Sequence, residues 1–153
     1  MPIFNAEDVI QFAIRIEENG EKYYQDAERA ATDETPKRLF RRLAAEESEH
    51  KAFFQKLLLQ TKFPSDIEDY QGQYLEELRA YIDGETALQP SPKDRNDIAS
   101  TLDAAARREA HSILYYDGLK KCVSEDDSKV LDKIIEEERW HFTEIRSLQH
   151  AKN

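Results

Sequence analysis

Glu47-Ser48-Glu49-His50 and Glu138-Arg139-Trp140-His141 are two copies of one pattern, Glu-x-x-His. On an α-helix, residues three apart lie one above the other on one face, so each copy points a carboxylate and an imidazole the same way. Working outward from the first copy gives Phe40, Leu43, Glu47, His50, Phe54 and Leu57. Working outward from the second gives Leu131, Ile134, Glu138, His141, Ile145 and Leu148. Both series alternate steps of three and four, the seam of a helix packed into a bundle. One Glu-x-x-His on a charged helix means little, but two on matching seams decide the fold.

The rest of the chain supplies two partner helices. The first begins near Asn5, an N-cap with Asp8 three residues on. Its seam is Ile10, Ala13, Glu17, Gly20, Tyr24, Ala27 and Ala31, and it stops around Thr32-Asp33-Glu34. Thr35 before Pro36 reads as the N-cap of the second helix, with proline at its first helical position. A link this short joins antiparallel neighbours. The third helix starts between Asp94 and Ile98, with the seam Leu102, Ala105, Glu109, Ser112, Tyr116, Leu119 and Val123. Ser124 and Asp127 form a capping box for the fourth. Between the pairs, Ile67, Tyr70, Tyr74, Leu78 and Tyr81 suggest a short amphipathic helix ended by Asp83-Gly84, and Gln89-Pro90-Ser91-Pro92 reads as loop. The pattern is all-α: one domain over residues 1–153, a four-helix bundle of two helical hairpins. A long crossover of about 61–97 joins them, carries the extra helix and lets the third helix run parallel to the second.

The halves repeat. Ala13, Glu17, Tyr23 and Tyr24 align with Ala105, Glu109, Tyr115 and Tyr116, while Phe40, Leu43, Glu47, His50 and Leu57 align with Leu131, Ile134, Glu138, His141 and Leu148. A pseudo-two-fold axis would set the two motifs face to face. Six polar residues then fall on the seams at one level: Glu17, Glu47, His50, Glu109, Glu138 and His141. Four buried carboxylates without partners would each cost several kcal/mol or take up protons. Two divalent cations remove that cost. One Glu from each of two helices, with Glu-x-x-His from each of the other two, is a recurrent way for a bundle to hold a metal pair. The plainer reading, solvated helix faces, suits Glu18, Glu46, Glu49, Glu136 and Glu137. His111 and His150 fall off the seams and read as surface residues. Tyr24 and Tyr116, two turns past Glu17 and Glu109, either donate hydroxyls to ligand carboxylates or fill the core. Cys122 reads as a small apolar filler, and Trp140 as cover for a helix or subunit contact.

Composition narrows the function. The chain has 153 residues, of which 35% are charged, with four glycines and five prolines. Its 32 acidic against 22 basic residues give a formal charge of −10, which disfavours nucleic acid and anionic membranes as partners. No window approaches the roughly 20 apolar residues of a membrane span. A lone cysteine excludes an intrachain disulfide and a Cys-x-x-Cys knuckle, and fits the cytoplasm.

The stretches Ile16 to Tyr24, Glu47 to His50, Arg108 to Tyr116 and Glu138 to His141 resemble the ferritin-like superfamily, and within it the rubrerythrin-like branch, over roughly Ala6 to Leu148. The resemblance implies a centre of two iron ions, with manganese or zinc as alternatives. Glu17 and Glu109 would be terminal ligands, Glu47 and Glu138 would bridge, and His50 and His141 would each cap one metal. It implies a non-haem di-iron oxidoreductase of peroxidase or ferroxidase type, reacting with hydrogen peroxide or dioxygen in oxidative-stress defence. The alternative is a protein that binds, buffers or delivers ferrous iron without sustained turnover. A third reading is a structural or interaction module with zinc or manganese in the site. The chain departs from rubrerythrins proper in lacking the rubredoxin module, so turnover calls for an external electron donor. It also has Ser112 where they carry an extra Glu. The short run from His141 to Asn153 argues against a fifth helix and a storage cage. Family habit and the aromatic crossover suggest a homo-oligomer, most simply a dimer.

Overall fold

The computed structural model describes residues 6–60, 69–87 and 97–151. Among the described residues five α-helices follow in order: α1 (Ala6–Ala30), α2 (Glu34–Leu59), α3 (Asp69–Ala87), α4 (Ile98–Leu119) and α5 (Glu125–Ala151). A 3-10 turn, Lys120–Cys122, separates the last two. No strand occurs among the described residues.

The helix starts show where local chemistry set the boundaries. The N-cap of α2 is Asp33, in extended backbone (φ −86°, ψ 139°), two residues earlier than the Thr35 that the sequence suggested. Pro36 fits there because the first-turn N–H groups have no intrahelical acceptor to lose. Asp97 caps α4, its carboxylate accepting from Ala99 N–H at 3.0 Å. Ser124 caps α5: its hydroxyl oxygen accepts from Asp127 N–H at 3.2 Å and its O–H donates to the Asp127 carboxylate at 2.9 Å. The Asn5 cap lies outside the described residues.

Cross-hairpin bonds fix the directions. Tyr23, late in α1, donates to Thr101 O, early in α4, at 2.7 Å. Tyr115, late in α4, donates to Val9 O, early in α1, at 2.9 Å. So α1 and α4 run antiparallel. Glu46 reaches His141 while His50 reaches Glu137, so α2 and α5 also run antiparallel. With α1 packed antiparallel against α2 across a three-residue link, α2 and α4 must be parallel.

The core is in two parts. One cluster joins Ile10, Phe12 and Ala13 of α1 to Phe54, Tyr115, Leu119, Leu131 and Ile134. The other joins Tyr24 and Ala27 to Phe40, Leu43, Leu102, Ala105 and Ile145. Each fully buried side chain of this size contributes about 1.5–3 kcal/mol. Between Ala13 and Tyr23, Ala44 and Phe54, Ala106 and Tyr115, and Ile135 and Ile145, every bundle helix places polar residues instead.

Helix α3 differs from its expected form. It continues through Gly84 to Ala87, since one glycine costs a helix only about 1 kcal/mol. Its buried stripe is Leu75 and Ile82, with Leu78 packed beside them, whereas Tyr74 and Tyr81 stay 42% and 54% exposed. Leu75 comes so close to α4 that a Cβ on Gly118 would stand 3.0 Å from it. Ile67 and the proline-containing loop, with 61–68 and 88–96 of the crossover, lie outside the described residues.

Candidate metal centre

All six seam residues meet in the layer between the two apolar clusters. Glu17 and Glu138 are fully buried, Glu47 and Glu109 are 2% exposed, His50 is 4% exposed and His141 1%. Glu18, the neighbour of Glu17, faces solvent. One ligand atom from each of Glu17, Glu47, His50 and Glu138 falls within 4.8 Å of the others. The same holds for Glu47, Glu109, Glu138 and His141. Glu47 and Glu138 belong to both quartets, and each quartet draws on both hairpins. The imidazoles lie 6.1 Å apart at 24°.

The donor set passes a direct test of fit. Glu17 Oε2, Glu47 Oε1, Glu109 Oε2, both Glu138 oxygens, and Nδ1 of His50 and of His141 are all buried without a hydrogen-bond partner. His50 Nδ1 stands 2.7 Å from Glu138 Oε1 and 3.7 Å from Glu17 Oε1, yet bonds to neither. His141 Nδ1 stands 3.5 Å from Glu47 Oε1 and 3.6 Å from Glu109 Oε2. Buried polar atoms are nearly always satisfied, and leaving one bare costs about 1–3 kcal/mol. Seven such atoms converging on one layer are what divalent cations would satisfy.

Electrostatics agree. Burial, then the charges of Glu17 and Glu109, push the Glu47 carboxyl well above the ordinary range. Burial, then Glu109 and Glu47, do the same to Glu138. Burial also acts on Glu109, but the neighbouring Glu138 and His141 and the Tyr24 hydroxyl prevail and hold it low. For His50 burial works against the cation, but Glu17 and Glu137 outweigh it and raise the pKa to about 9. His141 is raised likewise, by Glu109 and Glu46 against its burial. Without metal, protons take the place of cations in this layer.

Two tyrosines brace the layer crosswise. The Tyr24 hydroxyl of α1 donates to Glu109 Oε1 of α4, and the Tyr116 hydroxyl of α4 donates to Glu17 Oε1 of α1. Burial, then the facing carboxylates, raise both phenols, so both remain donors. Each therefore braces the acid of the opposite hairpin. Gly20, one turn after Glu17, lies close against α2: a Cβ there would stand 2.8 Å from Glu47 Oε2. Gly20, Arg108 and Ser112 border a cavity of about 30 Å³ that reaches Glu47 and Glu109. The Ser112 hydroxyl donates to Arg108 O at 3.1 Å.

Some expectations need correction. Glu46 and Glu137 are not simply solvated: Glu46 contacts His141 Nε2, and Glu137 lies 2.5 Å from His50 Nε2. Both sit one residue off the seam, which turns them toward the facing helix. The signal for them was present in the doubled acids Glu46-Glu47 and Glu137-Glu138. His111 is 8% exposed rather than on the surface, because Tyr81 of α3 covers it with ring centroids 5.3 Å apart. His150 is exposed, Cys122 is buried, and Trp140 is 61% exposed.

A family model described as Rubrerythrin matches residues 8–149. A crystal structure of a candidate ferritin-like diiron-carboxylate protein from Thermotoga maritima matches with a TM-score of 0.72 and 25% identity, covering 98% of this chain and 97% of that one. No curated protein sequence matches significantly. The bundle is thus a ferritin-like diiron-carboxylate fold, and its buried Glu/His cluster is able to bind metal. No helix among the described residues is long and apolar enough to cross a membrane.

Proposed function

This chain belongs to the rubrerythrin family, and we propose that its buried Glu/His layer holds two iron ions and reduces hydrogen peroxide or dioxygen with electrons from an external donor. The carrying observation is the set of seven buried carboxylate and imidazole atoms without a hydrogen bond, in two quartets that share Glu47 and Glu138. When bound, iron would supply the electrons and the open coordination positions that such an oxidant needs. The protein's own part is to position and exclude. Glu17 and Glu109 are held by tyrosine hydroxyls, and the apolar clusters above and below keep bulk water from the layer. The cavity at Gly20 has room for a molecule the size of water or peroxide. Cys122 as sole cysteine supports a cytoplasmic place in oxidative-stress defence. Exposed Tyr74, Tyr81 and Trp140 support a homodimer.

The test is anaerobic Fe(II) loading followed by peroxide or dioxygen. About two irons per chain should oxidise rapidly. Oxidation no faster than in Glu47→Ala and Glu138→Ala controls would sink the proposal. A second reading, ferrous iron uptake and delivery without turnover, is favoured by Ser112, one turn past Glu109, offering a hydroxyl and no acid. A single round of oxidation that no reductant reverses would select it.

A further inference from the structure

We infer that Glu46 and Glu137 are positioning residues for the metal centre, each fixing the histidine of the opposite motif so that its Nδ1 faces the metal layer. This rests on the reading of the layer as a metal pair. The geometry is reciprocal. Glu46, beside Glu47 on α2, meets Nε2 of His141 on α5; Glu137, beside Glu138 on α5, meets Nε2 of His50 on α2. An ionised carboxylate only accepts, so Nε2 must donate, and a neutral imidazole then has its lone pair on Nδ1. Nδ1 is the atom that lies buried, without a hydrogen bond, among the seam carboxylates in both histidines. The two outer acids occupy the rim of the layer, with side chains 35% and 56% exposed, while the imidazoles they hold are 1% and 4% exposed. A carboxylate so placed fixes ring orientation and raises the basicity of the ligating nitrogen.

The pairing also predicts which metal position each acid serves. His141 belongs to the quartet with Glu109, and His50 to the quartet with Glu17. Glu46 therefore serves the Glu109 position, across the bundle from its own motif, and Glu137 serves the Glu17 position.

Anaerobic Co(II) titration of the full chain, followed by visible absorption, tests this. The wild type should bind about two Co(II) per chain. Glu46→Ala and Glu137→Ala should each weaken one of the two sites by about 10–100-fold and leave the other unchanged. Glu46→Gln, which keeps an acceptor oxygen, should restore most of the loss and stands in if the alanine variant folds poorly. Adding Glu46→Ala to His141→Ala should have no further effect, but adding it to His50→Ala should weaken the remaining site by the same factor, about 10–100-fold. In the Zn(II)-loaded wild type, histidine NMR should show both rings protonated at Nε2. Two tight sites in the wild type and in both alanine variants, or an equal loss at both sites, would overturn the inference alone. A wild type that takes up no metal would overturn the metal reading with it.

Discussion

Gly20→Ala separates the demands of the fold from those of the site. Gly20 lies inside α1, where alanine is favoured over glycine by about 0.5–1 kcal/mol because glycine loses more backbone freedom on folding. Its added Cβ would stand 2.8 Å from Glu47 Oε2, 3.4 Å from Cδ and 3.5 Å from Cγ. Ordinary contact begins near 3.4 Å, so the carboxylate must retreat by about 0.6 Å. In the metal-free protein that retreat costs little, since the oxygen is the far end of a rotatable side chain. The melting temperature should hold or rise by about 2–4 °C. The metal site is less forgiving, because a constellation must be held within about 0.5 Å. Glu47 is also common to both quartets, so both metal positions should weaken together. An affinity loss of tenfold or more, about 1.4 kcal/mol, is expected. Calorimetric melting of the metal-free variant, beside an anaerobic Co(II) titration, measures both halves. Wild-type affinity at both positions would refute the reasoning, as would a metal-free variant destabilised by more than about 2 kcal/mol.

Tyr24→Phe and Tyr116→Phe each remove a buried donor to a carboxylate, and each should cost about 1–3 kcal/mol in denaturant unfolding, with similar values by the symmetry of the two contacts. Metal uptake at neutral pH should release protons, because the raised Glu47, Glu138, His50 and His141 hold them until a cation displaces them; titration calorimetry in buffers of different ionisation enthalpy reads this directly. A metal at a hundred times its dissociation constant should add about 2.7 kcal/mol of stability, which chelation should remove. Gly118→Ala should loosen α3, since its Cβ would meet Leu75 at 3.0 Å and Tyr74 at 3.2 Å; hydrogen exchange should accelerate across Tyr74–Asp83 and leave the bundle core unchanged.

The four bundle helices and the six seam residues are legible in the sequence because helical periodicity is a local property. A Glu at the third or fourth step among Phe, Leu and Ile must face the same way they do. What neighbouring helices do to one another is not local. Glu46 and Glu137 lie about 100° round from a seam, which reads as solvent until the facing helix is placed. His111 falls off the seam of α4, and the docking of α3 covers it. In α3 two stripes run side by side, Tyr74-Tyr81 and Leu75-Leu78-Ile82. Tyrosine is amphipathic enough that periodicity alone does not rank them.

The repeat also pairs Gly20 with Ser112, each one turn past its glutamate, and here the halves disagree. A centre assembled from two identical hairpins about an exact axis would have to place the same residue at both positions. Any change that opened space beside one bridging acid would open it beside the other. By carrying both hairpins in one covalent chain, this protein escapes that bond between its halves. It leaves bare backbone against Glu47 while α4 keeps a hydroxyl turned to its own carbonyl. The surroundings of Glu47 and Glu138 can therefore change separately, and the fusion permits an inequivalence that strict symmetry forbids.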